Sequence, residues 1–355
     1  MRLAALAVRS PPTRVLICDD SAVVREALAR LLETDPDVQV VARAGNGQAA
    51  LQALARNCVD VVLLDIEMPV MDGLTALPLL LRAAPGVRII MASTLTRQSA
   101  TVALRALGDG AVDVLPKPGI RDMEGDGFRR ELLAKVKGHA SLPRVAELPS
   151  RTISLRPAGR VPRLLAVASS TGGPRALFDL LQGLSARTTL PVPIVVTQHM
   201  PPCFIPILAE HLSRAGAFPC AEARNGKLLR PGTVHLAPGD RHLLVKRAAE
   251  GLQATLSDDP PESFCRPAAD PMLRSAAQAC DGRVLAVVLT GMGQDGLEGT
   301  RAVIEAGGTA LAQDEASSVV WGMPGSVAKA GLCHAVLPVP DLAARVLEML
   351  PGTAA

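Results

Sequence analysis

The sequence LLAVASSTGGPRALFDLLQGL, from Leu164 to Leu184, joins a strand-like apolar run to a turn and a helical pattern. The run ends at Ser169 and Ser170, and Thr-Gly-Gly-Pro follows before leucines recur at helical spacing. In an open α/β sheet, ligands bind at the carboxyl end of a strand, beside the unpaired N–H groups of the next helix. A serine at this position could cap the helix, help to cradle a phosphate, or act as a nucleophile.

Three further apolar runs in the second half of the chain predict strands of the same sheet: PIVVTQH, RVLAVVLT and GTALAQ. Helical patterns follow all but the last run, which predicts a largely parallel sheet. Between these runs, GTVHLAPGDRHLLVKR alternates in polarity across a Pro-Gly-Asp turn, which is typical of an antiparallel hairpin. Residues 163–350 are therefore predicted to form a larger, mainly parallel α/β domain with a β-hairpin.

The first part of the chain alternates in the same way. Its strand-like runs are RVLIC, VQVVARA, VDVVLLD, VRIIMAS and AVDVLP, and helical patterns separate them. They predict a five-stranded, doubly wound parallel sheet over residues 13–138. Between residues 139 and 162 the chain loses its periodicity and collects Pro, Ser and Arg, as exposed linkers do. The predicted fold class is thus α/β, with two domains joined by a linker.

The composition excludes several classes of protein. A chain of 355 residues with 48% hydrophobic and 20% charged residues is long and apolar enough for two globular domains. The net charge of +3 includes no basic run, so nucleic acid is not an expected partner. The seven cysteines form no C-x-x-C pair, which favours reduced thiols in the cytoplasm. Arg9 interrupts a short apolar start, and we expect no membrane insertion.

Carboxylates follow two strands of the first unit. Asp19 and Asp20 come after RVLIC, and Asp65 comes after VDVVLL. Like charges at one sheet edge repel unless a cation neutralises them, and Mg²⁺ prefers carboxylate oxygens and water. Ser93 and Lys117 end the next two strands and offer a hydroxyl and an ammonium to a phosphoryl group on a carboxylate. Helix capping or surface charge explains any one of these residues, but not all five at matching positions.

This unit resembles a response-regulator receiver domain in CDDS, LLDIEMPVMDG, MAST and LPKP. The resemblance implies that a partner histidine kinase phosphorylates Asp65. It also implies that Asp19, Asp20 and Asp65 hold Mg²⁺, while Ser93 and Lys117 sense the phosphate.

A serine nucleophile in the second unit needs a base, and the base needs an orienting acid. His199 ends the strand PIVVTQH, and Asp295 lies just beyond RVLAVVLT. Because parallel strands end at one edge of a sheet, Ser170, His199 and Asp295 are predicted to converge. A lone histidine is more often a core or loop residue, but three matched groups at one edge favour a catalytic triad.

The stretch GMGQDG, from Gly291 to Gly296, also fits the G-x-G-x-x-G dinucleotide fingerprint, and Asp314 lies near the end of the next strand. A hydride-transfer enzyme is therefore the second hypothesis. A non-catalytic binding module that the first unit switches is the third.

Six stretches of the second unit make it similar to the chemotaxis response regulator protein-glutamate methylesterase/protein-glutamine glutaminase family: ASSTGGP, VVTQHMPP, HLAPGDRHLLV, CRPAADPML, VLTGMGQDG and QDEASSVVWGMP. A receiver domain in front completes that family's architecture. The resemblance implies Ser170 as nucleophile, His199 as base and Asp295 as orienting acid. It further implies that Thr171 and the backbone of Met292 support the oxyanion.

The expected function is therefore that of a phosphorylation-activated esterase. It would hydrolyse glutamate γ-methyl esters on methyl-accepting chemoreceptors and deamidate glutamines. Mg²⁺ is expected for receiver phosphorylation and no cofactor for the esterase. Two places depart from the family's pattern: Trp321 stands where a tyrosine is expected, and SDDPPESF, residues 257–264, is an unusual approach to CRP.

Overall fold

The computed structural model describes residues 11–119, 125–141, 156–187, 189–216 and 218–352. Within the predicted linker, residues 142–155 lie outside this description, and residues 139–141 belong to the last helix of the first unit. Over these ranges, no helix has both the length and the apolar character that a membrane span requires.

Five parallel strands form the sheet of the first unit, in the order β2-β1-β3-β4-β5. Every residue of β3 is buried, as expected of a central strand covered by helices on both faces. The predicted doubly wound sheet is confirmed. Its strands are β1 (Thr13–Cys18), β2 (Val38–Ala44), β3 (Val61–Asp65), β4 (Arg88–Thr94) and β5 (Asp113–Lys117), and its helices are α1 (Ala22–Glu33), α2 (Gly47–Arg56), α3 (Gly73–Ala83), α4 (Arg97–Gly108) and α5 (Asp126–Ser141).

Side-chain caps fix where four of these helices begin. Ser21, Asn46, Asp72 and Thr96 each accept a hydrogen bond from the backbone N–H three residues further on. Such a cap satisfies one of the unpaired donors at a helix start. Because Ser21 caps α1, that role does not fall to Asp19 or Asp20, the two carboxylates that precede it.

Seven parallel strands form the main sheet of the second unit, in the order β14-β13-β12-β6-β7-β9-β8. Helices lie between most of them, as the alternating pattern predicts. The strands are β6 (Leu164–Ser169), β7 (Ile194–Gln198), β8 (Cys220–Glu222), β9 (Val234–Leu236), β12 (Val284–Val288), β13 (Thr309–Gln313) and β14 (Ala335–Leu337), and the helices are α6 (Gly173–Leu184), α7 (Ile205–Gly216), α8 (Ala269–Ala279), α9 (Leu297–Glu305), α10 (Met323–Lys329) and α11 (Val339–Met349).

The predicted position of the hairpin is wrong. The Pro-Gly-Asp turn joins β9, a strand of the main sheet, to β10 (His242–Ala248), which leaves that sheet. The antiparallel hairpin instead pairs β10 with β11 (Gly251–Ser257) in a separate two-stranded sheet. Alternating polarity predicts strands but does not reveal which partner each strand takes.

The strand order of the second unit reverses at β6. The chain passes from β6 to β7 on one side, whereas β12 pairs with the other side of β6. Open α/β sheets bind ligands in the crevice that forms at such a reversal. Beyond the strands the ladder continues, because Ser170 N–H donates to Thr290 O at 3.0 Å and His199 N–H donates to Ser169 O at 3.1 Å. These bonds place residues of three strand ends beside the crevice.

The two units pack against each other through α4, α5 and the start of β5. Leu104 and Leu107 of α4 belong to the same buried apolar cluster as Leu177 of α6 and Leu208 of α7. Beside this cluster, Gly172 N–H of the second unit donates to Asp113 Oδ2 of the first at 3.1 Å. The first unit therefore lies next to the turn that follows Ser170.

Candidate active site

The carboxylate of Asp295 accepts four hydrogen bonds although it is 2% exposed. Its Oδ2 accepts from Ala269 N–H at 2.6 Å and from His199 Nε2 at 2.7 Å. Its Oδ1 accepts from Asp270 N–H at 3.0 Å and Gly296 N–H at 2.9 Å. Two of these donors open α8, so the helix amino end faces the negative charge. Burial opposes ionisation, but the bonds from His199 and the backbone lower the pKa of Asp295.

The imidazole of His199 is held in one orientation by this acid. Because Nε2 donates to Asp295, Nδ1 is left as the ring nitrogen that can take a proton. Nδ1 lies 3.5 Å from Cys265 Sγ. Burial alone would lower the pKa of His199, but its hydrogen bonds with Asp295 and Cys265 raise that pKa to about 10.

Ser170 stands in the crevice between β6 and β12, where the backbone of Gly291 packs against it. A Cβ on Gly291 would lie 2.8 Å from Ser170 Cβ and 2.4 Å from Met323 Sδ, so only glycine allows this approach. Within the described ranges, no hydrogen bond joins Ser170 Oγ to His199. Catalytic hydrogen bonds are often long or poorly aligned without substrate and form fully only in the complex.

The turn after Ser170 leads directly into α6. Gly172 has φ 75°, a left-handed conformation that glycine adopts without steric cost. Thr171 is buried between Ser170 and this glycine, with its carbonyl accepting from Thr290 Oγ1 at 2.9 Å. Met292 is 36% exposed and follows Gly291. The two predicted oxyanion residues thus directly follow Ser170 and the glycine packed against it.

Sequence reasoning missed Gln198, which connects the two strand ends of the site. Its Oε1 accepts from Ser169 Oγ at 2.7 Å, and its Nε2 donates to Ser170 O at 2.9 Å and His199 O at 3.1 Å. The side chain is 2% exposed. A polar residue that ends a buried strand directly before the predicted base was the available signal.

Cys265 and Asp270 were missed as well. Cys265 Sγ contacts Nδ1 of His199. Asp270 lies in the first turn of α8 and accepts from Gly299 N–H at 2.6 Å. Burial raises the pKa of Asp270 to about 6, with the Asp295 charge acting in the same direction. Both residues lie in CRPAADPML, but no spacing rule predicts that this segment returns to the catalytic edge.

The acidic cluster of the first unit forms at the carboxyl edge of its sheet. Oxygens of Asp19, Asp20 and Asp65 lie within 4.8 Å of one another. Lys117 Nζ donates to Asp19 Oδ2 at 2.8 Å and to Asp65 Oδ1 at 2.7 Å. Burial raises the pKa of Asp65, although the bond from Lys117 acts in the opposite direction. This set of oxygen donors fits the preference of Mg²⁺.

Ser93 is placed differently from the other residues predicted for this cluster. It is fully buried, and its hydroxyl donates to Thr94 O at 3.1 Å. Thr94 rather than Ser93 lines the cleft that contains Asp65 and Lys117. Phosphate sensing by Ser93 therefore stays a prediction that needs a side-chain rearrangement.

The residues of the dinucleotide fingerprint already make other contacts within the protein. Gly291 packs on Ser170, and Gly296 N–H donates to Asp295. Asp314, which would bind a ribose, instead accepts from the N–H and hydroxyl of Ser317. This geometry favours the triad hypothesis over hydride transfer.

Comparisons with known proteins agree with both halves of the chain. A family model described as CheB methylesterase matches residues 165–346, and one described as response regulator receiver domain matches residues 15–124. The crystal structure of the Thermotoga maritima CheB methylesterase catalytic domain superimposes with a TM-score of 0.52 and 38% identity, covering 53% of this chain and 99% of that one. The fold class predicted for the second unit is confirmed.

Two curated relatives align over nearly the whole chain. The protein-glutamate methylesterase/protein-glutamine glutaminase of Azospirillum brasilense is 50% identical over 360 residues, which cover 93% of this chain and 91% of that protein. Protein-glutamate methylesterase/protein-glutamine glutaminase 1 of Rhodospirillum rubrum is 51% identical over 367 residues, which cover 95% of each. Both names state ester and amide hydrolysis.

The two adjacent serines provide the first test. Ser170→Ala should lower kcat on a soluble methyl ester by several orders of magnitude, because it removes the nucleophile. Ser169→Ala should change kcat by less than about tenfold, since it removes only the bond to Gln198. It should lower the free energy of unfolding by about 1 to 3 kcal/mol, because Gln198 Oε1 loses its partner. Opposite effects on kcat would exchange the roles of the two hydroxyls.

The pH dependence tests the pairing of His199 with Asp295. The base must be neutral, so kcat/KM should rise with pH, with a midpoint well above the ordinary histidine value, toward about 10. Asp295→Asn removes the charge that favours the imidazolium, so it should lower this midpoint and cut kcat by orders of magnitude. Steady-state rates across pH on a small ester give both quantities. An unchanged midpoint in Asp295→Asn would remove Asp295 from the site.

Proposed function

This chain belongs to the CheB methylesterase family, and from that premise we propose that it hydrolyses glutamate γ-methyl esters, and deamidates glutamines, on chemoreceptors. The single observation that carries the catalytic part is the 2.7 Å hydrogen bond between the carboxylate of Asp295 and the imidazole of His199, in the crevice that also holds Ser170. An oriented base at the same sheet edge as a hydroxyl near a helix start suits acyl transfer.

The reaction follows from which atoms remain available. Ser170 Oγ attacks the γ-carbonyl carbon while its proton passes to Nδ1 of His199, because Nε2 is committed to Asp295. The tetrahedral oxyanion accepts hydrogen bonds from backbone N–H groups near Thr171 and Met292. Its collapse breaks the C–O bond, and His199 returns the proton to the departing methoxide as methanol. Water then attacks the acyl-serine by the same base catalysis and leaves glutamate.

Glutamine deamidation uses the same steps with a different leaving group. An amide carbonyl gives the same kind of tetrahedral intermediate, and His199 protonates the departing nitrogen, which leaves as ammonia. The acyl-serine is then identical to that formed from the ester. One site therefore serves both activities.

The first unit controls this chemistry through phosphorylation of Asp65 by a histidine kinase. Asp19, Asp20 and Asp65 would hold Mg²⁺, which offsets the charge that gathers when a phosphoryl group reaches the carboxylate. Lys117 already forms ion pairs with Asp19 and Asp65. On phosphorylation it would replace one of these with an ion pair to a phosphoryl oxygen. The cytoplasmic location expected from the sequence stays part of this proposal. The cysteines of the described residues are all free thiols, which fits it.

In the unphosphorylated protein, the first unit acts as a lid. Asp113 is 1% exposed and accepts from Lys135 Nζ at 2.9 Å, His139 Nε2 at 3.2 Å and Gly172 N–H at 3.1 Å, all at Oδ2. Burial opposes the charge, but Lys135 and His139 keep the pKa of Asp113 well below its usual range. An ionised carboxylate of the first unit thus holds the turn next to Ser170.

Strand β5 connects this contact to the phosphorylation site. Asp113 begins the strand and Lys117 ends it, five residues in all. A shift of Lys117 toward a phosphoryl group therefore moves the same strand that carries the contact with Gly172. This connection supports release of the second unit upon phosphorylation.

Methanol release from membranes that carry methylated receptors tests the function itself. The full protein should release methanol slowly, and a small phosphodonor with Mg²⁺ should raise the rate in the native protein but not in Asp65→Ala. Ser170→Ala should release none under either condition. No methanol from the native protein with the phosphodonor would contradict the proposed activity.

The lid can be tested with two glycines of α5. A Cβ on Gly138 would lie 2.1 Å from Val319 O of the second unit, whereas a Cβ on Gly127 meets nothing within 4 Å. Gly138→Leu should force the units apart and raise the unphosphorylated rate on a small ester several-fold. Gly127→Leu is the matched control, with the same change in helix propensity. Equal rates in the native protein and both variants would contradict the lid.

A further inference from the structure

A tight turn beside the catalytic histidine presents an aromatic side chain to solvent. Glu262 and Cys265 close the turn with two backbone hydrogen bonds, of 3.2 Å from Glu262 N–H and 2.8 Å from Cys265 N–H. The two residues between them, Ser263 and Phe264, have φ of 51° and 63°. Turns of this kind normally contain Asn or Gly, because other side chains are strained in the left-handed region.

Phe264 is an unfavourable residue at this position on two counts. Its backbone conformation is an outlier for a bulky side chain, and its side chain is 97% exposed. The chain contains only five phenylalanines. Because Phe264 is almost completely exposed, it contributes nothing to the core. Strained residues of this kind concentrate at ligand-binding and catalytic sites.

The turn is fixed at both ends by ion pairs. Arg274 of α8 donates to Glu262 Oε1 at 2.5 Å. On the other side, Arg266 donates twice to Asp240 Oδ1, at 3.0 Å and 2.8 Å. These ion pairs hold the turn that carries the exposed ring, which lowers the conformational entropy lost when a partner packs against the ring.

The turn also reaches the reacting groups. Cys265, the residue after Phe264, contacts His199 Nδ1, the nitrogen that takes up the proton of Ser170 in the proposed reaction. Because the residue after Phe264 contacts His199, this turn borders the candidate active site, where residues that flank a bound glutamyl ester can reach it. The first unit does not cover Phe264 in the present arrangement, since the ring is almost completely exposed in the full chain.

We propose that Phe264 is a specificity-determining contact for the protein substrate, packing against apolar side chains of the receptor polypeptide that flank the esterified glutamate. This inference rests on the proposed function. Aromatic side chains on preorganised turns bury much apolar area for little entropy cost, as recognition hot spots do. A free small ester has no flanking residues and gains nothing from the contact.

Phe264→Gly separates recognition from stability, because glycine removes the ring and relieves the backbone strain. It should lower kcat/KM for methylated receptor membranes by about tenfold, as loss of a recognition hot spot does. On a small soluble methyl ester, kcat/KM should stay within about twofold, and Tm should be unchanged or higher. Phe264→Leu, which keeps an apolar side chain, should lose less on the receptor.

Val161→Gly is the control, because Val161 is a 53% exposed apolar residue of the same domain that precedes the amino end of β6, opposite the crevice. It should change neither substrate's kcat/KM. Unchanged receptor turnover in Phe264→Gly, or an equal loss on both substrates, would overturn the inference. The inference would also be overturned if Phe264→Gly changed the oligomeric state and kept its receptor turnover. In that case the ring would contact a second copy of the chain. Failure of the native protein on both substrates would instead reject the proposed function.

Discussion

The buried carboxylate of Asp295 is the interaction on which the second unit's geometry depends. A charge at this depth is tolerated only because four donors surround it, two of them from the start of α8 and one from the imidazole of His199. Those donors come from separate segments of the chain, so satisfying the charge brings α8, the end of β7 and the turn before α9 to one point. Removing any of these donors would leave a buried charge short of partners, which is why the arrangement is so specific.

Sequence could predict the sheet edge but not every group that lies there. Ser170, His199 and Asp295 each follow a strong apolar run, and the rule that parallel strands end at one edge brings them together without further information. Gln198 and Cys265 act through side-chain bonds to that trio, and no periodicity reports such bonds. The hairpin was misplaced for a related reason, because alternation in HLAPGDRHLLV predicts strands without revealing that β9 and β10 belong to different sheets. Ser93 shows the same limit, since its position on β4 was evident and its orientation was not.

Both units use the carboxyl edge of a parallel sheet, yet they solve different electrostatic problems there. In the first, three carboxylates are gathered with one lysine, which suits an exchange of ligands around an incoming phosphoryl group. In the second, one carboxylate is completely satisfied by fixed donors, which suits a base that must keep its orientation through successive proton transfers. The first site is built to rearrange and the second to stay fixed, although a common sheet architecture supports them.

The apolar cluster shared by α4, α6 and α7 has a consequence for how the molecule melts. Because Leu104 and Leu107 lose their cover when α6 and α7 unfold, neither unit can unfold without exposing apolar surface of the other. While the units are docked, unfolding of either one also costs the apolar contact with the other, so each raises the stability of its neighbour. Once the contact between them opens, this thermodynamic coupling disappears and each unit melts at its own temperature. The thermal stability of each unit, compared with and without its neighbour, thus reports how strongly the two are docked, and it requires no substrate.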